Sequence, residues 1–138
     1  MKTLPIELLM TDLKTVSEAN EHAHWRARQV RAKEQRGRAY ASLLCSLSGY
    51  KMLMKRTAKS TRVCLAALPA PKLTIHISRH GPRELDSDNL AGSQKHVRDG
   101  IADALGVDDG SDTLDWQYHQ VRSPNGVYAV LVRLEARE

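Results

Sequence analysis

Residues 73–109, LTIHISRHGPRELDSDNLAGSQKHVRDGIADALGVDD, contain the clearest strand pattern and the clearest helix pattern of this sequence. Residues 73–78 alternate apolar and polar side chains, which predicts a strand with one face toward the core. The inward-facing residues of this strand are Leu73, Ile75 and Ile77. Ser93–Leu105 has apolar residues at helical spacing, and Gly106 predicts the end of this helix. The buried stripe of the helix consists of Val97, Ile101, Ala104 and Leu105.

The remaining elements are predicted from weaker patterns. Thr3–Leu13 is apolar with some alternation and predicts a first strand. Ser17 is a candidate N-cap for a helix that runs from about residue 18 to about Leu47. The predicted buried residues of this helix are Ala23, Ala27, Val30, Leu43, Leu44 and Leu47. Leu114–Val121 and Val127–Glu135 predict two strands, and the Ser-Pro-Asn-Gly sequence between them favours a hairpin.

These elements predict an α+β fold of order β-α-β-α-β-β, with two helices packed on a mixed sheet. A length of 138 residues fits one domain, over residues 1–138. Residues 48–71 are basic, contain Ser, Gly and Thr, and end in Pro-Ala-Pro, which predicts a mobile loop or insertion. The two cysteines are too few for a disulfide framework or a cysteine metal site.

Several classes of protein are disfavoured by the sequence. It has no apolar run of about 18 residues and no signal-peptide pattern, so we expect a cytoplasmic protein without membrane contact. It also has no Gly-rich phosphate loop, so we expect no nucleotide cofactor.

Charge is distributed unevenly along the chain. Residues 1–83 contain 16 Lys and Arg against 5 Asp and Glu, whereas residues 84–138 contain 5 against 11. The two parts therefore carry formal charges of +11 and −6 in a chain of net charge +5. This division predicts a polyanion-binding surface in the first part. In the second part it indicates either a function that needs carboxylates or a solvated acidic surface.

Basic side chains are concentrated in the predicted helix of residues 18–47 and in the loop after it. The predicted nucleic-acid contacts are Arg26, Arg28, Arg31, Lys33 and Arg38 of the helix, and Lys51, Lys55 and Lys59 of the loop. Such a run is typical either of a solvated helix face or of a phosphate-binding surface. Trp25 is interpreted either as an apolar anchor of this helix or as a platform on which an unpaired base stacks.

Two pairs of aspartates flank the predicted helix of residues 93–105. Asp86 and Asp88 follow the strand, and alternate residues of an extended chain point to the same side. Asp108 and Asp109 follow the helix, which packs back on the sheet, so we expect both pairs at one end of the sheet. Converging carboxylates repel one another unless a cation lies between them, and an all-oxygen site suits Mg²⁺ or Mn²⁺. The alternative is that these aspartates only cap helices and stabilise turns.

The segment RELDSDNL…QKHVRDGIADALGVDD resembles the signature of the RusA-type Holliday junction resolvases, small endonucleases of bacteria and their prophages. The shared pattern is Asp-x-Asp-Asn-Leu, a following Lys, an Asp one turn later, a helix ending in Ala-Leu, and Asp-Asp before a strand. Its members here are Asp86, Asp88, Asn89, Leu90, Lys95, Asp99, Ala104, Leu105, Asp108 and Asp109. A weaker likeness in residues 17–28, SEANEHAHWRAR, extends the resemblance over about two-thirds of the chain.

The resemblance implies a bacterial or prophage-encoded, Mg²⁺-dependent endonuclease that resolves four-way junctions or other branched DNA as a homodimer. It implies that Asp86, Asp88 and Asp109 bind the metal ion, and the adjacent Asp108 is a further candidate ligand. It also implies that Lys95 stabilises negative charge in the reaction. The sequence leaves open a second function, a DNA-binding or accessory protein that has kept this fold without cleavage activity.

One departure from the family pattern bears on Lys95. Three residues, Ala91–Ser93, are inserted before it, and they would rotate a continuous helix by about 300°. Lys95 therefore reaches the site only if the insertion lies in a loop before the helix. Gly92 and Ser93, a flexible residue followed by an N-cap type, favour that arrangement.

Overall fold

The computed structural model describes residues 5–17, 24–47, 54–56, 61–63 and 72–136. Its elements are β1 (Ile6–Thr11), α1 (Trp25–Leu47), β2 (Met54–Arg56), β3 (Thr61–Val63), β4 (Leu73–Gly81), α2 (Ser87–Ser93), α3 (Lys95–Leu105), β5 (Leu114–Arg122) and β6 (Ala129–Ala136). The fold is α+β in a single domain, as predicted, but the described order is β-α-β-β-β-α-α-β-β.

A four-stranded mixed sheet forms the centre of the fold, in the order β1-β6-β4-β5. β4 lies parallel to β5 and antiparallel to β6, and β6 is antiparallel to β1. The predicted hairpin of β5 and β6 is therefore wrong, because β4 lies between them. The Ser-Pro-Asn-Gly segment still makes a turn, in which the amide of Val127 donates to the carbonyl oxygen of Pro124 over 3.0 Å.

The helices cover one face of this sheet. The predicted burial of alternate residues in β4 is confirmed, and it continues through Arg79 to Gly81. α3 packs its predicted apolar stripe against the same core, and Gly106 ends the helix with a φ of 72°, a left-handed conformation that glycine adopts without strain. The core residues of the two helices are Ala39, Leu43, Val97, Ile101, Ala104 and Leu105.

α1 contributes only its second half to the core. Its buried residues are Gln35, Ala39 and Leu43, whereas residues 24–30 are all exposed. The predicted burial of Val30 is wrong. This residue is 66% exposed, because it lies in the first turns of α1, which do not pack on the core. The helix also begins at Trp25 rather than near residue 18, so Ser17 is not its N-cap.

α1 and α3 cross closely at Gly100. A Cβ atom there would lie 2.9 Å from the Cβ of Ala39 and would also overlap the carbonyl group of Arg36. Only glycine fits this crossing without displacing α1. The crossing therefore sets the position of α3, and with it the position of the groups that α3 carries.

Two further predictions need correction. The helix predicted over residues 93–105 is confirmed from Lys95 onward, but α2 precedes it and Gln94 separates the two. Residues 48–71, predicted as a loop, contain the antiparallel pair β2 and β3. Lys51 and Lys59 lie outside the described residues. None of the described helices is both long enough and apolar enough to cross a membrane.

Candidate functional site

Asp86 and Asp88 lie where the chain leaves β4 and begins α2. Asp86 is the N-cap residue, and its Oδ1 accepts a hydrogen bond from the amide of Asn89 over 2.9 Å. Asp88 stands in the first turn, and both carboxylates are exposed. The expectation of an extended Asp-x-Asp segment is wrong, because the cap at Asp86 starts the helix at Ser87. The two carboxylates nevertheless lie within one helical turn of each other.

The residue before Asp86 is held by Gln120 of β5. Nε2 of Gln120 donates to the carbonyl oxygen of Leu85 over 2.7 Å, and its Oε1 accepts from the amide of Leu85 over 2.9 Å. This pair satisfies both backbone groups of Leu85 and fixes the entry of the chain into α2. Sequence reasoning missed Gln120. The sequence does contain a signal for it. Gln120 falls on the same side of the alternating strand as Trp116 and Tyr118, so its amide is expected to face inward.

The connector between β1 and α1 supports α2 from the other side. The Ser17 hydroxyl donates to Oδ1 of Asn89 over 2.6 Å. The buried Gln94 donates from Nε2 to the Thr15 hydroxyl over 2.8 Å. The carbonyl oxygen of Thr15 accepts from Nε of Arg79 over 3.3 Å. This connector therefore holds α2 near its first turn and again at the break that follows it.

Arg79 places a buried positive charge beneath the loop that leads to Asp86 and Asp88. Its side chain also donates from Nη1 to the carbonyl oxygen of Arg83 over 2.8 Å, and the residue is only 5% exposed. Burial lowers the pKa of Arg79, but a guanidinium remains protonated at neutral pH. In the described part of the chain its partners are carbonyl oxygens and not a carboxylate. A Cβ at Gly81 would lie 2.8 Å from Nη1, so this glycine provides the space for the guanidinium.

Lys95 is the first residue of α3. The inserted residues Ala91–Ser93 therefore lie in α2, before the break at Gln94, and not in a loop. Lys95 follows Asp88 by seven positions in the sequence, across the break at Gln94. Lys95 lines a hollow of about 300 Å³ together with Arg28 and Gln29 of α1. The candidate catalytic lysine therefore lies beside a candidate nucleic-acid contact.

Asp109 is held by Arg98 and Trp116. Nε of Arg98 donates to Oδ2 of Asp109 over 3.1 Å, and Nη2 donates to its carbonyl oxygen over 2.9 Å. The same carbonyl oxygen accepts from Nε1 of Trp116 over 2.8 Å. Arg98 also lies 4.7 Å from the ring centroid of Trp116 and donates to the hydroxyl of Tyr118 over 2.9 Å. These contacts form an Arg98 clamp, made by Arg98, Trp116 and Tyr118 on Asp109.

Asp108 and Asp109 precede β5, whose first residue, Leu114, lies opposite Leu73 at the beginning of β4. Asp86 and Asp88 instead follow the end of β4. The expectation that the backbone brings both pairs to one end of the sheet is therefore wrong. The amide of Gly110 donates to Oδ1 of Asp108 over 3.0 Å, and this hydrogen bond lowers the pKa of Asp108.

β5 anchors both acidic segments on its inward-facing side. Gln120 holds the residue before Asp86 and Trp116 holds Asp109, and four residues of strand span about 13 Å. Mg²⁺ binds oxygen at about 2.1 Å, so an ion shared by both segments requires one of them to move. Accordingly, no group of three or more His, Cys, Asp or Glu within the described ranges is arranged to hold a metal ion. Asp86 and Asp88 lie at the start of α2, within one helical turn, and Asp109 lies in the Arg98 clamp.

The predicted basic contacts in the first part of the chain lie mainly on α1. Those on the helix are Arg26, Arg28, Arg31, Lys33 and Arg38. Arg38 donates from Nη2 to the carbonyl oxygen of Thr11 at the end of β1, so its guanidinium also stabilises the fold. Lys55 lies in β2. Arg36, on the same helix, pairs with Asp103 of α3 over 2.6 Å.

Trp25 stands at the exposed start of α1. Its side chain is 55% exposed, so the interpretation as an anchor of the helix is wrong. The guanidinium of Arg26 lies 5.4 Å from its ring centroid. An exposed aromatic ring beside an arginine is suited to stacking on a nucleobase.

No family model matches this chain. The chain is similar to an uncharacterized protein of Xylella fastidiosa, with 34% identity over 93 residues. The match covers 65% of this chain and 51% of that protein, so this chain spans about half the length of its relative. The name of the relative gives no function, so the functional argument depends on the site.

Proposed function

We propose that this chain is a Mg²⁺-dependent, structure-selective endonuclease that cleaves four-way junctions or other branched DNA, as RusA-type resolvases do. The observation that carries the proposal is the exposed pair Asp86 and Asp88, fixed at the start of α2 between two supports. Phosphodiester hydrolysis by a metal nuclease needs oxygen ligands for a cation and a positive surface for the DNA backbone. Lys95 and Arg28 line one hollow and supply positive charge for the backbone there.

The donor set of this site fits Mg²⁺, with Mn²⁺ as a substitute. Mg²⁺ usually binds one or two carboxylates and completes its six positions with waters and substrate phosphates. Asp86 and Asp88 supply two carboxylates, and Asp86 keeps one oxygen free of the helix cap. Asp109, with Asp108 beside it, would add a third carboxylate only if its turn left the Arg98 clamp and crossed the roughly 13 Å between the two anchor points on β5. An ion held by these residues would supply a water of lowered pKa and stabilisation of charge on the phosphate.

The chain's own basic groups bind and orient the DNA. Lys95 and Arg28 neutralise the phosphate that lies over their hollow, and Arg26 and Lys33 continue the track along α1. Such contacts give affinity without reading sequence. Trp25 stacks on a base that the branch point leaves unpaired. Recognition of the branch therefore comes from shape and an unpaired base rather than from base edges.

A homodimer suits this substrate. A four-way junction presents two symmetry-related strands, and a twofold dimer presents two identical sites. Each copy then cuts one strand.

A DNA-binding or accessory protein without cleavage activity is the second candidate. The observation that favours it is the Arg98 clamp, which keeps Asp109 away from Asp86 and Asp88. If this clamp never opens, the chain has only two carboxylates at the ion. Binding without hydrolysis would then be its function.

Cleavage of an end-labelled four-way junction separates the two candidates. The wild type should cut in Mg²⁺ and not in EDTA. Asp88→Asn should abolish cutting while it preserves or tightens binding, because removing one negative charge lessens repulsion of the backbone. Asp112→Asn, which makes the same charge change in the exposed segment before β5, is the matched control and should cut like the wild type.

Two results would count against the proposal. Binding by the wild type without cleavage in Mg²⁺ or Mn²⁺ would favour the accessory protein. Absence of junction binding would contradict both candidates.

A further inference from the structure

The face of the sheet opposite the helices carries a hydrogen-bonded chain of side chains from three adjacent strands. Nδ1 of His76, on β4, lies 2.9 Å from Nε2 of His119 on β5. The other ring nitrogen of His76, Nε2, lies 2.8 Å from Oε1 of Glu135 on β6. None of the three belongs to the proposed nuclease site, which is anchored on the helix-covered face.

The two imidazole rings meet edge to edge. Their centroids are 5.1 Å apart and their planes are inclined by 27°. The centroid separation exceeds the distance between the two nitrogens by about two ring radii, so each nitrogen lies near the line that joins the centroids. The in-plane lone-pair directions of both nitrogens therefore point toward each other.

Glu135 fixes the proton of His76. An ionised carboxylate only accepts hydrogen bonds, so a neutral His76 carries its proton on Nε2 and presents a lone pair at Nδ1. A carboxylate on one ring nitrogen and a lone pair on the other is the usual arrangement of a histidine that binds a metal.

We propose that His76 and His119 form a binding site for a divalent transition metal ion such as Zn²⁺, with Glu135 as the outer hydrogen-bond partner of His76. Imidazole nitrogens suit Zn²⁺, Ni²⁺ or Cu²⁺, whereas Mg²⁺ prefers oxygen. Tetrahedral Zn²⁺ with bonds of about 2.0–2.1 Å holds two nitrogens roughly 3.3 Å apart, so the nitrogens need to separate by about 0.4 Å and each ring needs to turn by about 35° to aim its lone pair at the ion. His119 moves its proton from Nε2 to Nδ1, and the two remaining positions on the ion are filled by water or an external anion.

The charges around this pair favour a cation. Three carboxylates lie on the same face, from Glu7 of β1, Asp115 of β5 and Glu135 of β6. The arginine on this face is Arg133, whose Nη2 lies 3.5 Å from Glu135 and whose Nε lies 3.9 Å from Glu7. These four residues carry a formal charge of −2 in a chain of net charge +5.

Calorimetric titration with Zn²⁺ in excess Mg²⁺, which keeps carboxylate sites occupied, tests the proposal. The wild type should bind one Zn²⁺ per chain, and His119→Ala or His76→Ala should abolish this binding. Glu135→Gln should weaken it by about 10- to 100-fold, the usual effect of removing an outer-shell partner. His24→Gln removes an exposed imidazole before α1 and should bind like the wild type. Circular dichroism checks the fold of each variant, and the exposed His119 is the position that tolerates substitution best.

Nitrogen-15 spectra of the histidine rings give a second readout. Zn²⁺ should shift Nδ1 of His76 and Nε2 of His119 more than the other ring nitrogens. Zn²⁺ binding by His119→Ala at wild-type affinity would overturn the proposal, and so would the absence of binding by the wild type. These outcomes do not involve DNA, so the nuclease proposal stands or falls on separate measurements.

Discussion

Replacing Arg98 with Ala removes the group that holds Asp109. The ion pair is partly exposed, with side chains 27% and 43% accessible, so it contributes about 0.2–1 kcal/mol. The stacking on Trp116 adds about 0.5–1 kcal/mol. The hydrogen bonds to the Asp109 carbonyl and the Tyr118 hydroxyl together add about 1 kcal/mol, because both acceptors regain contact with water. We expect Arg98→Ala to lower the free energy of unfolding by about 2 kcal/mol.

A double-mutant cycle with Asp109→Ala isolates the ion pair from the rest of the clamp. Urea unfolding is followed by tryptophan fluorescence in a Trp25→Phe background, where Trp116 is the remaining tryptophan. The coupling energy between Arg98 and Asp109 should be about 0.5–1 kcal/mol. Arg98→Lys should recover less than half of the loss, because lysine lacks the planar fork. Strictly additive effects, with a loss below about 0.5 kcal/mol for Arg98→Ala, would refute the clamp.

Three other regions give separate predictions. Gly100→Ala should lower the free energy of unfolding by about 1–3 kcal/mol through overpacking at the crossing of α1 and α3, as denaturant unfolding measures. Gln120→Ala should raise the Mg²⁺ concentration needed for half-maximal cleavage without changing junction affinity, because it frees the chain before α2. Arg28→Ala with Arg31→Ala should flatten the log–log salt dependence of junction binding by about two units, since each phosphate contact contributes roughly 0.9. A wild-type slope in that variant would place the DNA surface elsewhere.

The local patterns of β4 and α3 were predictable because each repeats over enough residues to define a buried face. Alternation fixed the inward side of Leu73, Ile75 and Ile77, and Gly106 marked the end of α3. The turn after β5 was also predictable from its Pro-Asn-Gly chemistry. The pairing of β5 and β6 could not be predicted, because β4 lies between them and pairs with both through residues that are distant in sequence.

The break between α2 and α3 depends on similar non-local contacts. Gln94 ends one helix and precedes the next while its side chain bonds to Thr15, far away in the chain. Nothing in the sequence around Gln94 predicts that partner. The inserted residues Ala91–Ser93 lie inside α2, and this placement depends on the packing of the connector between β1 and α1, which is distant in sequence.

The residue types of the candidate site could be predicted from the sequence, but the positions of these residues relative to one another could not. The spacing of Asp86 and Asp88 predicts two acids in one short segment, and the structure places both at the start of α2. Asp109 was expected beside them, yet its position depends on Arg98 and Trp116, whose contacts arise only when α3 packs on β5. Helix periodicity could not reveal a contact that joins a helix, a turn and a strand.

Anomalous scattering from crystals of the chain with Mn²⁺ and a branched DNA would locate the catalytic ion. We expect a peak about 2.1–2.2 Å from carboxylate oxygens of Asp86 and Asp88, with Asp109 drawn out of the Arg98 clamp toward it. Asp88→Asn crystals should lack this peak. Mn²⁺ absent from Asp86 and Asp88, or bound only elsewhere while the DNA is in place, would contradict the account.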